Sequence, residues 1–525
     1  MPELARRRLE RLGAAAQGVI AGGLRGVEKE ALRIAPDGRL AATPHPRALG
    51  SALTHAYITT DYSEALLEFV TPPMPSSVEV IDFLADLHRY TATRIGDELL
   101  WATSMPCMLS GDDHIPLARY GDSNVGRMKT IYRRGLGYRY GRTMQTISGV
   151  HFNYSLPESF WAVYQAVEGH AGGMEALRSE AYMALVRNFH RLGWLVLYLF
   201  GASPAVCRSF FAGRESGLQA FDSGTVYTPY ATSLRMSDLG YKNRDQARLR
   251  IPLNSLEEYI DGLTHAIATP NPAYERIGVE VDGEWRQLST SWLQIENEYY
   301  SVIRPKRVAR SGERPTQALK RCGVQYVEVR ALDVNAFEPV GVSACQLRFL
   351  EALLLHCMLS ESPPIHDSEY DAIERNQRRV AWEGRRPGFM LERGGGEVAL
   401  AEWASEVLDH VAEVAELLDA PGDGSYTRAV AAQRAVLEDP ARLPSARLLA
   451  EMAAHDESFF QLARRLSADH ASALLADAAD PAREGCFTAE AESSLERQRA
   501  LEAAERIDFR THLANYYAGV DTVGG

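Results

Sequence analysis

Glu28 and Glu30 stand one residue apart in the stretch RGVEKEALRI (25–34). On a strand that spacing puts both carboxylates on one face with Leu32 and Ile34, while Val27, Lys29, Ala31 and Arg33 take the other. Two like charges beside the largest aliphatics would repel, and one would hold a proton unless a cation lay between them. The alternation recurs along the chain. In SGVHFNYS, His151, Asn153 and Ser155 oppose Val150, Phe152 and Tyr154. Leu66, Glu68 and Val70 align in ALLEFVTP; Tyr326, Glu328, Arg330 and Leu332 align in YVEVRALD; Gln294, Glu296, Glu298 and Tyr300 align in LQIENEYY. Strands that each turn a carboxylate or an imidazole to one side predict a curved sheet whose polar face holds divalent cations. Oxygen donors with one imidazole suit Mg²⁺ or Mn²⁺ better than zinc. Plainer readings exist for each piece alone: a solvated strand face for Glu28 and Glu30, an exposed helix face for Glu64 and Glu68, a core histidine for His151, a solvated loop for RPKRVAR (304–310).

The elements that must position these residues are legible in outline. The first twenty residues read as an amphipathic helix without the apolar run of a secretory signal. Strands are expected at 26–34, 66–71 and within TISGVHFNYSLP, with two more in LQIENEYYSVIRPKR and VQYVEVRALDVN. Helices are expected at 77–97 and 176–200, and SACQLRFLEALLLHCML reads as a buried one. After about residue 390 the texture turns to Ala, Leu, Glu and Arg at helical spacing, which predicts an all-helical tail. The division expected is 1–390 for catalysis and 391–525 for a helical region packed on it. GDSNVGRMKT has P-loop-like glycines, but Arg127 and Met128 stand where Lys and Ser/Thr are needed, and neither GxGxxG nor GxSxG occurs. Any nucleotide would be held by metals and cations.

Composition narrows the field. A net charge of −13 over 525 residues, with no basic tail or long basic run to offset it, argues against a nucleic-acid binder, and 46% hydrophobic content fits an ordinary globular protein. WLVLYLF (194–200) is too short to span a bilayer. Six scattered cysteines without CxxC spacing read as reduced thiols of a cytoplasmic protein, and none is placed as a nucleophile. Lysine is scarce: Lys29, Lys129, Lys242, Lys306 and Lys320 are the five among 56 basic residues, a hint that a compact ammonium is wanted at those places.

RGVEKEALRI, GSALTHAYITTDYSEALLEFVTP, SMPCML, MQTISGVHFNYSLP, LFGASPAVC, PYATSLRMSDLGY, LQIENEYYSVIRPKR and YVEVRALDVN, in that order, resemble the proteobacterial type of glutamate–cysteine ligase, also called γ-glutamylcysteine synthetase. The resemblance runs from about residue 20 to NQRRVAWEGRRPG near 388 and is loose beyond. It implies an α+β fold related to glutamine synthetase, a curved and mainly antiparallel sheet forming a metal-lined funnel with helices around it. It implies Glu28, Glu30, Asp61, Glu68, His151 and Glu328 as ligands of Mg²⁺ or Mn²⁺, and Arg330 as the group that meets the transferred phosphoryl. It also implies Arg235 as the grip on a substrate carboxylate with Asn153 nearby, and Tyr132, Leu136, Gln145, Ile147, Tyr241 and Tyr300 as a cysteine pocket.

The implied chemistry joins the γ-carboxylate of glutamate to the amine of cysteine through an acyl phosphate made with ATP, as the first step of glutathione synthesis. The partners are then small molecules alone, with no membrane, in a cytoplasmic monomer. A ligase of the same fold using another amine, and a non-catalytic cation or amino-acid binder, are the rival readings. The Tyr132, Tyr241 and Tyr300 matches count against the first, and a guanidinium at Arg330 beside Glu328 counts against the second.

Overall fold

The structure, a computed structural model, describes residues 3–15, 19–240, 249–310, 312–419, 422–477 and 479–518. Its centre is a seven-stranded sheet: β1 (Leu24–Ile34), β2 (Ile58–Thr60), β3 (Leu66–Val70), β4 (Leu99–Leu100), β5 (Gly149–Ser155), β6 (Ile303–Lys306) and β7 (Tyr326–Asp333). The order is β6–β7–β5–β1–β3–β2, with β4 on the end of β1, and every pairing is antiparallel.

The two faces are divided as the alternation predicts. Val27 and Ala31, Leu67 and Phe69, Val150, Phe152 and Tyr154, and Val327 and Val329 are buried together on the back. The helices Met174–Phe200 and Ala344–Leu359 belong to the same apolar core. Ser343 and Gln346 cap the start of the second helix, and its side chains are apolar nearly all round, as a buried helix requires. Removing the Phe152 ring from this layer would cost roughly 3–5 kcal/mol. The front face changes character along its length. Leu32, Ile34 and Leu66 are sealed in a second apolar cluster with Tyr62, Trp101 and Ile147, while the Glu28–Glu30 end opens into a cavity. That answers how two carboxylates share a face with large aliphatics.

Four expectations need correction. The pairing of β7 with β5 slips between Val329 and Leu332, so Leu332 turns to the back beside Val150 and Asp333 takes the front. A bulge of one residue reverses every side chain beyond it. The stretch around Glu296–Glu298 is a 3₁₀ turn instead of a strand, because Glu298 Oε2 accepts from Gln294 N at 2.7 Å and so competes with ladder pairing. The tail opens with a hairpin of Met390–Arg393 and Gly396–Ala399 before, among the described residues, six α-helices from Leu400–Asp419 to Phe509–Tyr517. Finally, Cys107 and Cys207 are joined in a disulfide, so the cysteines are not all reduced thiols and give no argument for a reducing compartment. Among the described residues no helix is long and apolar enough to cross a membrane.

Candidate active site

Register assembles the site. Glu28 lies opposite His151 across β1 and β5, Glu30 opposite Glu68 across β1 and β3, Glu328 opposite Asn153 across β7 and β5, and Arg304 opposite Glu328 across β6 and β7. Directly opposed residues stand about 5 Å apart, within reach of one another. His151 Nδ1 is 3.2 Å from Glu28 Oε2 and 3.9 Å from Glu328 Oε1, and its Nε2 is 3.9 Å from Glu30 Oε1. Asn153 Nδ2 donates to Glu28 Oε1 at 3.0 Å, and the Gly149 N–H donates to Glu30 Oε2 at 2.6 Å. Arg330 Nη1 donates to Glu328 Oε1 at 3.1 Å and lies 3.4 Å from His151 Nδ1. All of these except Asn153 and Gly149 line one cavity of about 470 Å³.

The carboxylates cannot all ionise unaided. Burial pushes Glu30 up to about 8, with Asp61 adding to it against the pull of Arg235 and Arg330. Burial holds Glu68 well above the ordinary range as well, reinforced by Glu28, Asp61 and Glu30. Burial opposes ionisation of Glu328 too, but Lys306, Arg330 and His151 overcome it and hold that carboxyl well below its usual value. Glu28 also falls below its usual value: burial and Glu328 press upward, and the hydrogen bond and charge of His151 outweigh them.

A divalent cation fits this donor set. Glu28, Glu68 and His151 each offer a ligand atom within 4.8 Å of the others. Among the described residues the buried Glu328 Oε2 has no hydrogen-bond donor, although Lys306 Nζ stands 3.4 Å away, and Asn153 Oδ1 is also without one. Hard oxygen ligands beside one imidazole are what Mg²⁺ or Mn²⁺ takes. A larger cavity, about 970 Å³, lies behind the sheet, but its cations already have partners: Arg191 with Glu369, Arg375 with Glu392 and Arg393 with Glu406.

Comparison with known proteins decides the kinship. The glutamate–cysteine ligase family profile matches residues 9–380. The chain is 50% identical over 512 residues to the glutamate–cysteine ligase of Alcanivorax borkumensis, covering 96% of this chain and 98% of that protein. It is 49% identical over 530 residues to that of Azotobacter vinelandii, covering all of both. The chain belongs to the glutamate–cysteine ligase family. Its fold matches the crystal structure of the Francisella tularensis glutamate–cysteine ligase in complex with AMP with a TM-score of 0.89 at 35% identity, over 94% of this chain and 97% of that one. A bifunctional glutathione synthetase from Pasteurella multocida shares the fold with a TM-score of 0.71 at 23% identity, over 89% of this chain and 54% of that one.

Against the ligase reading of the sequence, the structure gathers most of the expected residues and displaces a few. Glu28, Glu30, Asp61, Glu68, His151, Glu328 and Arg330 all face the cavity. So do Tyr132 and Leu136, one turn apart on the helix Asn124–Tyr140, together with Gln145 and Tyr300. Ile147 instead lies in the apolar cluster with Leu32 and Ile34. Arg235 lies beneath the wall, its Nη2 donating to the Arg330 carbonyl at 3.1 Å and its Nη1 3.7 Å from Asp333 Oδ1. A Cβ at residue 149 would sit 2.1 Å from the Arg235 Nη2, so a side chain there would displace the Arg235 guanidinium. Asn153 orients Glu28, and Tyr241 lies outside the described residues.

Several cavity residues were not assigned to the site from the sequence, although the scarcity of lysine had singled out Lys129 and Lys306. Arg304 and Lys306 belong to edge strand β6, so the first part of RPKRVAR is no solvated loop. Their signal was present in the period-2 spacing of IRPKR. Lys129 and Arg133 line the cavity one turn apart, and Arg133 Nη2 is 3.6 Å from Asp61 Oδ1. Burial, then Arg133, pulls Lys129 down to about 8. Tyr516, from the last helix, also lines the cavity, with its hydroxyl 3.4 Å from Glu296 Oε2. Nothing in the sequence pointed to it, because the contact spans 220 residues.

Proposed function

We propose that the chain condenses the γ-carboxylate of L-glutamate with the amine of L-cysteine, using ATP and giving γ-glutamylcysteine, ADP and phosphate, as the first step of glutathione synthesis. The observation that carries this reading is the contact of Arg330 with Glu328 inside the group of four glutamates and His151. A simple cation site gains nothing from an adjacent guanidinium, whereas phosphoryl transfer between two anions needs one.

Glu28, Glu30, Asp61, Glu68, His151 and Glu328 would hold Mg²⁺ or Mn²⁺, which when bound supplies positive charge to phosphate oxygens. Arg330, with its planar fork, meets the equatorial oxygens of the moving phosphoryl group, and Arg304 and Lys306 on the neighbouring strand add charge along the same wall. The γ-carboxylate attacks the γ-phosphorus, ADP leaves, and the cysteine amine then attacks the acyl carbon while phosphate departs. Tyr132, Leu136 and Tyr300 supply a partly apolar wall near that amine and limit access of water to the acyl phosphate. The reading places a monomer in the cytoplasm, with residues 1–390 as the catalytic unit and 391–525 packed on it.

The test is ADP release by the purified protein with glutamate, Mg²⁺ and a panel of amines. The reading expects cysteine to exceed glycine, alanine and ammonia at equal concentration. Equal turnover with any of these would overturn it.

A further inference from the structure

The back face of β1 carries three cations, and two of them have carboxylate partners. Arg25 donates to Glu351 Oε2 at 2.7 Å, and Arg33 Nη1 donates to Glu98 Oε2 at 2.5 Å. Lys29, between them and only 3% exposed, makes no ion pair among the described residues. Its one hydrogen-bonding partner among those residues is His88 Nε2 at 3.0 Å. His88 Nδ1 is 2.8 Å from the Leu84 carbonyl, so Nδ1 carries the proton and Nε2 accepts from the ammonium. That leaves two of the three ammonium donors without an acceptor among the described residues, with the Phe69 ring centroid 6.0 Å from Nζ.

Lys29 and His88 form the buried end of a cavity of about 190 Å³. It lies where the helix Ser77–Ala92, strand β4, the 334–341 segment and the helix Phe459–Ala476 meet behind the sheet. Ile95, Trp101, Val334 and Leu474 make its walls apolar. The charged and titratable groups that face it from these elements are Asp97 and Glu98, Glu338 and His470, all nearer solvent than Lys29. His470 Nε2 is engaged at 2.8 Å with the Ala336 carbonyl.

We propose that this cavity is a second ligand site, separate from the catalytic one, for a small monocarboxylate with a short branched apolar tail. The carboxylate would accept from the two open donors of Lys29, and the tail would lie against Ile95, Trp101, Val334 and Leu474. An unpaired buried ammonium is costly, and a single anion relieves it. One cation matches one negative charge; a phosphate dianion would add a charge with no partner and would have to pass three carboxylates. An amino acid would press its own ammonium toward Lys29. The site stands directly behind Glu28 and Glu30 on the same strand, but the proposal does not depend on the catalytic reading.

Isobutyrate is the probe, titrated calorimetrically into the full chain with Mg²⁺ present, beside isobutyramide as its uncharged isostere. Saturable binding of isobutyrate is expected, with at least a tenfold loss in Lys29→Met. Ala471→Phe fills the cavity from the helix Phe459–Ala476 without touching the metal face, and should lose binding by a similar factor while keeping normal melting temperature and ligase turnover. Isobutyramide should bind at least tenfold more weakly. The proposal is overturned if isobutyrate fails to bind the unaltered chain, if Ala471→Phe binds it undiminished, or if the amide binds as tightly as the acid.

Discussion

Arg330 is held by Glu328 Oε1 at 3.1 Å and by proximity to His151 Nδ1 at 3.4 Å. Burial opposes its charge, but Glu328, Glu28 and Glu30 raise its pKa further, so it stays a guanidinium throughout any working pH. A lysine there would keep the charge and lose the planar fork. Arg330→Lys should therefore bind glutamate nearly as before and lose roughly a hundredfold to a thousandfold in turnover, the range for one lost electrostatic donor. If Arg330 only neutralises the sheet, Arg330→Lys would turn over normally; kcat, glutamate affinity and melting temperature together tell the two apart. Glu28, Glu30, Glu68, His151 and Glu328 could be placed on one face because strand alternation is local and needs no partner to be read, whereas Asp61 came only with the family resemblance. Leu332 was misplaced because a bulge depends on how β7 meets β5, which the sequence of one strand does not contain. Arg304 and Lys306 were passed over because a charge run has the same composition whether it is solvated or turned inward.

At the scale of elements, the helix Phe509–Tyr517 helps to build the cavity wall. Phe509 and Leu513 form an apolar cluster with Ile131 and Leu288, against which Tyr132 and Ile295 pack, and the Phe509 ring meets Trp285 edge-on at 4.9 Å. The helix thus buttresses the wall that carries Tyr132, and it presents Tyr516 to the cavity. Phe509→Ala should lower the melting temperature by the equivalent of about 3–5 kcal/mol and raise the KM for cysteine more than the KM for ATP. Unchanged KM values in a protein that melts early would limit the helix to a structural role. Helix and strand types were readable from periodicity, including the long helix Met174–Phe200 and the buried Ala344–Leu359. The docking of the last helix was not, since side chains separated by hundreds of residues leave no period in the sequence. The Glu296–Glu298 turn fooled the same method, because its carboxylates alternate as on a strand, yet Glu298 accepts from the local Gln294 N–H.

Over the whole molecule, the fold concentrates more negative charge on one face of the sheet than it can ionise. In the metal-free protein burial raises Glu30 to about 8, so it holds a proton near neutrality that competes with a cation, and burial shifts Glu68 in the same direction. A folded-state pKa above the unfolded one gives stability that is present at low pH and lost as pH rises through the folded value. Mg²⁺ replaces what is lost, so the gain in melting temperature on adding it should grow from about pH 6 to about pH 8. A gain independent of pH would show that these two carboxyls take no part in binding. The overall architecture could be read from the order of the motif blocks and from their alternation, whereas the Cys107–Cys207 disulfide could not, because 100 residues separate the two cysteines and only the folded chain brings them together. The central claim is that ATP activates the γ-carboxylate of glutamate on this face. It is tested most directly by running one reaction on glutamate labelled with ¹⁸O in that carboxylate and following the label. Attack on the γ-phosphorus, then departure of phosphate from the acyl carbon, must carry one labelled oxygen into inorganic phosphate per peptide bond made. Phosphate free of label while the amide product accumulates, with the departing labelled oxygen found in AMP or in water, would contradict the account.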